Sequence, residues 1–217
     1  MKLIAINGSP NKSGNTVTLL KSAMEGAASK GFETELINLC DLKFKGCIGC
    51  LSCKVRDGKH YGSCALNDEL TPIIKKIEEA DSLIIGSPNY LGAPTSTTKA
   101  FIERLIYPYV VYSSNWSSLA KKKISTGFIY TMSSNESWMK EVGYDKPTEF
   151  IKGIFQLIFG ACESLIANDI PIFKDYSKYV GDRFNPIEKT KIYEEKFPNY
   201  QCEAFELGVR LTKEISE

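Results

Sequence analysis

Cysteine is the residue type in this chain with the most chemistry to offer. The 217 residues contain seven cysteines, and four of them lie close together in a C-x2-C-x2-C pattern with one more beyond it: Cys47, Cys50, Cys53 and Cys64. Four thiolates suit either zinc or an iron–sulfur cluster. Structural zinc usually draws two separated C-x2-C pairs, whereas three closely spaced cysteines with a distant fourth are more typical of iron–sulfur proteins. Three interpretations stay open: an iron–sulfur cluster, zinc with His60 as one ligand, or reduced thiols that bind no metal.

The low histidine content restricts the other kinds of chemistry. His60 is the one histidine of the sequence, so a hydrolytic triad or a histidine-rich metal site has little to work with. An odd number of cysteines in a chain that we expect to be cytoplasmic does not favour a disulfide framework. The remaining cysteines, Cys40, Cys162 and Cys202, have apolar neighbours and are predicted to be buried, inert thiols.

A polar loop follows the first apolar run of the chain. Residues 8–16 read GSPNKSGNT and lead into a segment with helical periodicity. The loop fails the Walker A spacing, because five residues separate its glycines, and it fails the G-x-G-x-x-G fingerprint. Its hydroxyls and amides suit a terminal phosphate monoester held at a helix N-terminus by neutral donors. An ordinary polar turn is the alternative interpretation.

A second loop with ligand-binding character spans residues 86–95, GSPNYLGAPT. Two prolines restrict its backbone, two glycines allow a ligand to approach it, and Tyr90 lies at its tip. Such a loop suits a flat heteroaromatic ring such as isoalloxazine. Open parallel sheets bind ligands at the carboxyl ends of their strands, where this loop, the first loop and residues 131–136 are all expected.

Together, GSPNKSGNT and GSPNYLGAPTSTTKAFIERL resemble the NAD(P)H-dependent FMN reductases of the flavodoxin-like superfamily, over roughly residues 1–166. The resemblance implies that the first loop contacts the FMN phosphate and the second the isoalloxazine ring, and that the third closes the site. The implied phosphate contacts are Ser9, Asn11, Ser13, Asn15 and Thr16. The implied ring contacts are Pro88, Asn89, Tyr90, Leu91 and Gly92. The implied third-loop contacts are Thr131 and Ser133.

The cysteine segment resembles that of the iron–sulfur flavoproteins, a branch of the same family in which a [4Fe-4S] cluster exchanges electrons with FMN. The resemblance implies that Cys47, Cys50, Cys53 and Cys64 are the cluster ligands. The sequence departs from that motif in one respect, because the gap between Cys53 and Cys64 is longer than expected.

Hydrophobic periodicity predicts the elements that position these loops. Buried or edge strands are predicted at 2–7, 32–39, 82–86, 124–130 and 163–167. Helices are predicted from Asn15 to about Gly31, from Asn67 or Asp68 to Glu79, and over 96–106, 147–159 and 198–215. This alternation predicts a doubly wound α/β fold, and the resemblance implies a flavodoxin-like parallel sheet of order 2-1-3-4-5. We expect one FMN-binding domain over residues 1–217, with a cysteine-rich insertion at about 40–66.

Charge and length narrow the class of function. Twenty-seven basic and twenty-six acidic residues give a net charge of +1, which does not favour nucleic-acid or anionic-membrane binding. The sequence has no apolar run of the roughly 20 residues needed for a membrane span. The apolar run at its N-terminus is too short for the hydrophobic core of a signal peptide.

The resemblance implies an FMN-dependent oxidoreductase that forms a homodimer or homotetramer. Electrons would come from NAD(P)H, or from ferredoxin if a cluster is present, and would pass to a quinone, a small electrophile or another carrier. Two alternatives stay open: a flavodoxin-like electron carrier without a substrate of its own, and a zinc-stabilised α/β binding domain.

Overall fold

The computed structural model describes residues 1–115, 117–181 and 185–213. In this part of the chain, five strands pair in parallel in the order β2-β1-β3-β4-β5, which confirms the predicted fold class and strand order. The strands are β1 Lys2–Asn7, β2 Glu33–Asn38, β3 Ser82–Tyr90, β4 Ile124–Thr131 and β5 Gly160–Ala167.

Helices cover both faces of the sheet. They are α1 Asn15–Ala28, α2 Leu70–Glu79, α3 Ser96–Ile106, α4 Glu136–Glu141, α5 Lys146–Phe159 and α6 Pro186–Arg210. The apolar sides of α2, α3 and α5 form one core with the sheet, and those of α1 and α6 form the other. Among the described residues, no helix is both long enough and apolar enough to span a bilayer.

The last helix begins twelve residues earlier than predicted, at Pro186 rather than Pro198. Asn185 caps it by accepting hydrogen bonds from the Ile187 and Glu188 N–H groups, and proline is well suited to the first helical position. Pro198 lies inside the helix. The predicted end at residue 215 lies outside the described residues. The short helix α4 was not predicted at all.

Helices α1 and α6 run parallel and pack closely on the same face of the sheet. A Cβ atom added to Gly208 would lie 1.8 Å from the Ala23 carbonyl oxygen, and one added to Gly26 would lie 2.0 Å from the Phe205 carbonyl oxygen. At about 1.5 Å per residue, α6 with 25 residues is about 37 Å long and α1 with 14 residues about 21 Å. The N-terminal turns of α6 therefore extend beyond α1, toward the carboxyl edge of the sheet.

Candidate functional site

A relay of side-chain hydrogen bonds shapes the loop between β1 and α1. The Ser9 N–H donates to Asn7 Oδ1 at 2.9 Å, the Asn11 N–H to Ser9 Oγ at 3.1 Å, and the Ser13 N–H to Asn11 Oδ1 at 3.0 Å. Helix α1 then begins after Gly14 without a side-chain cap. The first N–H groups of an uncapped helix, together with its positive dipole end, form a favourable place for an anion.

The first and second predicted loops are joined directly. The Gly8 N–H donates to the Gly86 carbonyl oxygen at 2.8 Å, and Thr95 Oγ1 donates to the Gly8 carbonyl oxygen at 2.8 Å. A Cβ atom at Gly8 would lie 1.8 Å from Thr98 Oγ1, so a larger residue would push the first loop away from α3. Glycine at position 8 is thus required by close packing.

The second predicted loop is largely a continuation of β3 that ends in a tight hairpin. Asn89 and Tyr90 pair antiparallel with Ala93–Pro94. The two residues of the turn, Leu91 and Gly92, have φ values of 56° and 86°, as in a type I′ turn. The Tyr90 side chain is half exposed and Leu91 is 95% exposed at the tip. Strand pairing, rather than the prolines alone, fixes the hairpin.

The third predicted segment meets the first at a buried contact. Thr131 Oγ1 lies 2.8 Å from Thr16 Oγ1, and both threonines are buried. The ends of β1, β3 and β4 therefore come together at one edge of the sheet, as the sequence predicts.

A cavity of about 410 Å³ opens beside these loops. Three side-chain atoms around it are buried and have no hydrogen-bond partner among the described residues: Asn89 Nδ2, Ser133 Oγ and Ser134 Oγ. Buried polar atoms are rarely left unpaired in a native protein, so they point to a ligand that supplies the missing partners. The aromatic rings of Trp138 and Tyr144 also line this cavity.

Helix α6 supplies the opposite wall, through Asn185, Glu188, Lys189 and Ile192. Lys189 Nζ donates to the Ser133 carbonyl oxygen and lies 3.2 Å from Asp169 Oδ1. The sequence analysis missed these residues because they follow no ligand-binding motif. The one available signal was the Asn185–Pro186 pair, which is typical of a helix start.

Asp169 carries a buried charge network beside the cavity. Its side chain is 8% exposed, and Lys196 Nζ donates to its second oxygen at 2.8 Å. Burial opposes ionisation of this carboxyl group, but hydrogen bonds from Lys196 and Lys189 outweigh it and hold its pKa below the usual value. Asp169 is therefore ionised at neutral pH and fixes Lys189 against the third loop.

The four clustered cysteines, Cys47, Cys50, Cys53 and Cys64, line one small cavity of about 20 Å³. Within the described ranges, no three histidine, cysteine or acidic side chains are grouped closely enough to hold a metal ion. His60 is not among the residues that line this cavity. Burial raises the pKa of the Cys53 thiol, whereas hydrogen bonds from Ser52 lower that of Cys50. The four cysteines therefore lie around one small space without being grouped as metal ligands in this structure.

Arg104 of α3 ties the two ends of the cysteine segment together. Its side chain is fully buried, and Nη1 donates to the Lys45 carbonyl oxygen and to Asp68 Oδ2, both at 2.8 Å. It also lines the same small cavity as the four cysteines. Its Nε atom is buried and has no partner among the described residues. Lys45 precedes the first cysteine of the cluster and Asp68 follows the last, so this one guanidinium closes the segment.

The other three cysteines do not share one environment. Cys162 is buried, as predicted, and burial raises the pKa of its thiol to about 11. The prediction was wrong for Cys40 and Cys202, which are exposed. Cys40 lies in a short 3-10 turn after β2, and Cys202 lies on the outward side of α6. Both are therefore outside the core, although their neighbours in the sequence are apolar.

Comparison with known proteins identifies the family. The sequence model described as NADPH-dependent FMN reductase matches residues 1–133, more than half of the chain. The chain belongs to this family. The first two loops, 8–16 and 86–95, and the start of the third, at Thr131, lie within the matched residues.

Curated relatives of this reductase-family chain carry the name iron–sulfur flavoprotein. One from Methanocaldococcus jannaschii is 41% identical over 104 residues, which cover 48% of this chain and 51% of the relative. One from Archaeoglobus fulgidus is also 41% identical over 104 residues, which cover 48% of each chain. The match thus spans about half the length of these relatives.

Solved structures share the fold. An NAD(P)H:quinone oxidoreductase from Methanothermobacter marburgensis superposes with a TM-score of 0.69 at 13% identity, covering 100% of this chain and 99% of the other. An FMN-dependent NADH-azoreductase from Bacillus anthracis superposes with a TM-score of 0.64 at 17% identity, covering 98% and 100%. At these identities the likeness concerns the fold alone.

The residues of the site fit FMN, the group that the family implies. The uncapped start of α1 suits a phosphate, and the cavity next to it offers unpaired amide and hydroxyl groups for the polar edge of a ring. Half-exposed Tyr90 offers an aromatic face at the same edge. The carboxyl ends of parallel strands are also where this class of sheet binds its ligands.

Proposed function

We propose that this chain is an FMN-dependent oxidoreductase that takes electrons from NAD(P)H and passes them to a quinone, a small electrophile or another electron carrier. The observation that carries the proposal is the cavity at the sheet edge with three buried, unpaired polar atoms, beside an uncapped helix N-terminus. Membership of the reductase family supports it, as do the FMN-dependent azoreductase and the quinone oxidoreductase among the proteins of the same fold.

In this proposal the protein binds, orients and shields the cofactor. FMN, when bound, supplies the redox chemistry by accepting and giving electrons in its ring system. The N–H groups at the start of α1, with Ser9, Asn11, Ser13, Asn15 and Thr16, hold the phosphate. The hairpin, with Pro88, Asn89, Tyr90, Leu91 and Gly92, lies along the ring, and Thr131 and Ser133 close the site. None of these residues has to move a proton, which agrees with the low histidine content.

The cysteine segment is proposed to hold a [4Fe-4S] cluster through Cys47, Cys50, Cys53 and Cys64. The support is that all four cysteines line the same small cavity. Lys54 and Arg104 place positive charge beside the thiols, which favours binding of an anionic cluster. With such a cluster, ferredoxin would be an alternative electron donor.

We further propose that the whole chain forms one domain and assembles as a homodimer or homotetramer in the cytoplasm. The exposed hairpin tip, with Tyr90 and Leu91, lies next to the proposed FMN site and would be covered by a second subunit. Light scattering of the purified protein tests the assembly, and a monomer that retains full NAD(P)H oxidation would contradict it.

The experiment that tests the function is anaerobic purification followed by an absorbance spectrum and quantification of FMN, iron and zinc. We expect one FMN and about four iron atoms per chain, with the flavin bleached by NADH or NADPH and recoloured by a quinone. A colourless protein with stoichiometric zinc would support a zinc-stabilised binding domain instead. A flavin that NAD(P)H does not reduce, but that a reduced carrier protein does, would support an electron carrier.

A further inference from the structure

We infer that Tyr193, on helix α6, is a positioning residue for the cofactor phosphate, acting through Asn15 at the start of α1. The Tyr193 hydroxyl donates to Asn15 Oδ1 at 2.6 Å, across 178 positions of the sequence. The inference rests on the proposed function, because it assigns a role at the FMN site. Residue 193 lies outside the 1–133 segment that matches the family.

In the structure the Asn15 amide presents its oxygen to the Tyr193 hydroxyl. An asparagine side chain has one oxygen, which accepts, and one NH2 group, which donates. Because Tyr193 occupies the oxygen, the NH2 group is directed away from α6. The dianion of a phosphate monoester has acceptors only, so the orientation that Tyr193 stabilises by donating to the amide oxygen is the one that binds it. Without this hydroxyl the amide is free to turn its oxygen toward the phosphate.

Tyr193 is held rigidly enough to exert this control. Its ring packs on Phe197 with centroids 4.7 Å apart, and burial raises the pKa of its hydroxyl, which therefore stays protonated and able to donate. The close contacts of Gly26 with Phe205 and of Gly208 with Ala23 fix α6 against α1 further along both helices. The distance between Tyr193 and Asn15 is thus set by two packed helices rather than by a flexible loop.

FMN and riboflavin provide a direct test, because they share the ring system and differ in the phosphate. We would remove the flavin from the wild-type protein and from the Tyr193→Phe variant, and titrate each apoprotein with both compounds by flavin fluorescence. The loss of one oriented hydrogen bond is expected to weaken FMN binding about five- to tenfold. The affinity for riboflavin should change less than about twofold.

Two further variants show whether Tyr193 acts through Asn15. Asn15→Ala should weaken FMN binding, and the double variant Tyr193→Phe/Asn15→Ala should bind FMN as Asn15→Ala does, because the hydroxyl then has nothing to orient. Tyr109→Phe is the matched control, since it removes a similar hydrogen bond, to Glu78 Oε1 at 2.7 Å, on the other face of the sheet. It should leave both flavin affinities unchanged.

The outcomes separate the inference from the proposed function. Unchanged FMN binding by Tyr193→Phe, or equal weakening of FMN and riboflavin binding, would overturn the inference while FMN binding by the wild type stands. Additive losses in the double variant would also overturn it. A wild-type apoprotein that binds neither flavin would overturn the proposed function and the inference together.

Discussion

Two buried charged side chains, Asp169 and Arg104, hold the two candidate sites in place. Asp169 binds Lys189 and Lys196 beside the cavity, and Arg104 binds Asp68 and the Lys45 carbonyl oxygen behind the cysteines. Transferring a charge out of water costs several kcal/mol, so each buried ion is retained only with its partners in place. Removing one partner of either pair leaves the other charge buried and uncompensated.

The Asp169→Asn substitution is expected to lower the free energy of unfolding at pH 7 by about 3 kcal/mol, because it leaves the buried Lys189 without its counter-charge. Backbone strain is not the cause, since Asn tolerates the φ of 62° at this position as well as Asp does. Urea denaturation measures the loss. Glu136→Gln breaks an exposed pair with Lys140 and should have no measurable effect.

The same substitution predicts a pH dependence. Because the pKa of Asp169 is lower in the folded state than in the unfolded state, its ion pairs contribute fully above the unfolded value of about 3.9 and are lost as the pH falls below it. The stability difference between wild type and Asp169→Asn should therefore be constant from pH 7 to 5 and shrink below about pH 4. A difference at pH 3 as large as that at pH 7 would contradict this.

Arg104→Lys is expected to weaken the cysteine site without removing its charge. The planar guanidinium of Arg104 donates to Asp68 and to the Lys45 carbonyl oxygen at the same time, and the ammonium group of lysine lacks this geometry. The two ends of the cysteine segment should therefore separate more easily. The loss of one hydrogen bond to the guanidinium corresponds to a free energy of about 1.4 kcal/mol. Release of protein-bound iron to a chelator should therefore be about tenfold faster. Arg210→Lys, at an exposed pair with Glu163, is the control, and equal release rates in both variants would contradict the role of Arg104.

At the scale of elements, the fold brings two helices and a hairpin to the same edge of the sheet. Helix α1 starts there, the hairpin after β3 projects there, and the first turns of α6 reach it because α6 is longer than α1. The register between α1 and α6 is set by glycines at their crossing. The geometry of the site thus depends on backbone contacts far from it.

Gly208→Ala tests this dependence. The added Cβ would lie 1.8 Å from the Ala23 carbonyl oxygen, and backbone cannot yield as a flexible side chain does. We expect a loss of about 2–3 kcal/mol in unfolding free energy, typical of overpacking, together with weaker FMN binding as α6 shifts.

Gly153→Ala on α5 is the control, because its Cβ would meet nothing within 4 Å. It should stabilise the helix by up to about 1 kcal/mol. A Gly208→Ala variant as stable as wild type would show that the helices separate easily.

At the scale of the whole molecule, the loop site at the sheet edge and the cysteine segment share one element, helix α3. Helix α3 is capped by Thr95, which donates to the Gly8 carbonyl oxygen of the first loop, and it carries Arg104 about two turns later behind the cysteines. Loops that converge on a ligand hold one another in place when it is bound, so binding is expected to stabilise the whole fold.

FMN at about 100 times its dissociation constant should raise the unfolding free energy of the apoprotein by about 2.7 kcal/mol, if only the folded chain binds it. Thermal denaturation with and without FMN measures this effect. Free adenine, a flat ring that lacks both the isoalloxazine and the phosphate, is the control and should leave the midpoint unchanged. An equal shift with adenine, or no shift with FMN, would contradict specific binding at the loops.

The sequence alone determined the class of fold and most of its element boundaries. Apolar runs of four to eight residues alternating with helical periodicity leave few architectures other than a doubly wound sheet, and strand ends then define the ligand edge. The two loops GSPNKSGNT and GSPNYLGAPT identified that edge and the family, because their residue types are constrained locally by tight turns and close backbone packing.

Only the tertiary structure decided what lies opposite those loops. The contacts of Tyr193 with Asn15, of Lys189 with Asp169, and of Arg104 with Asp68 join residues 178, 20 and 36 positions apart. The exposure of Cys40 and Cys202 was likewise a property of the packed elements. Local periodicity indicates which face of a helix or strand is apolar. Which faces pack against each other depends on how the helices cross, and the crossing of α1 and α6 is set by one glycine on each helix.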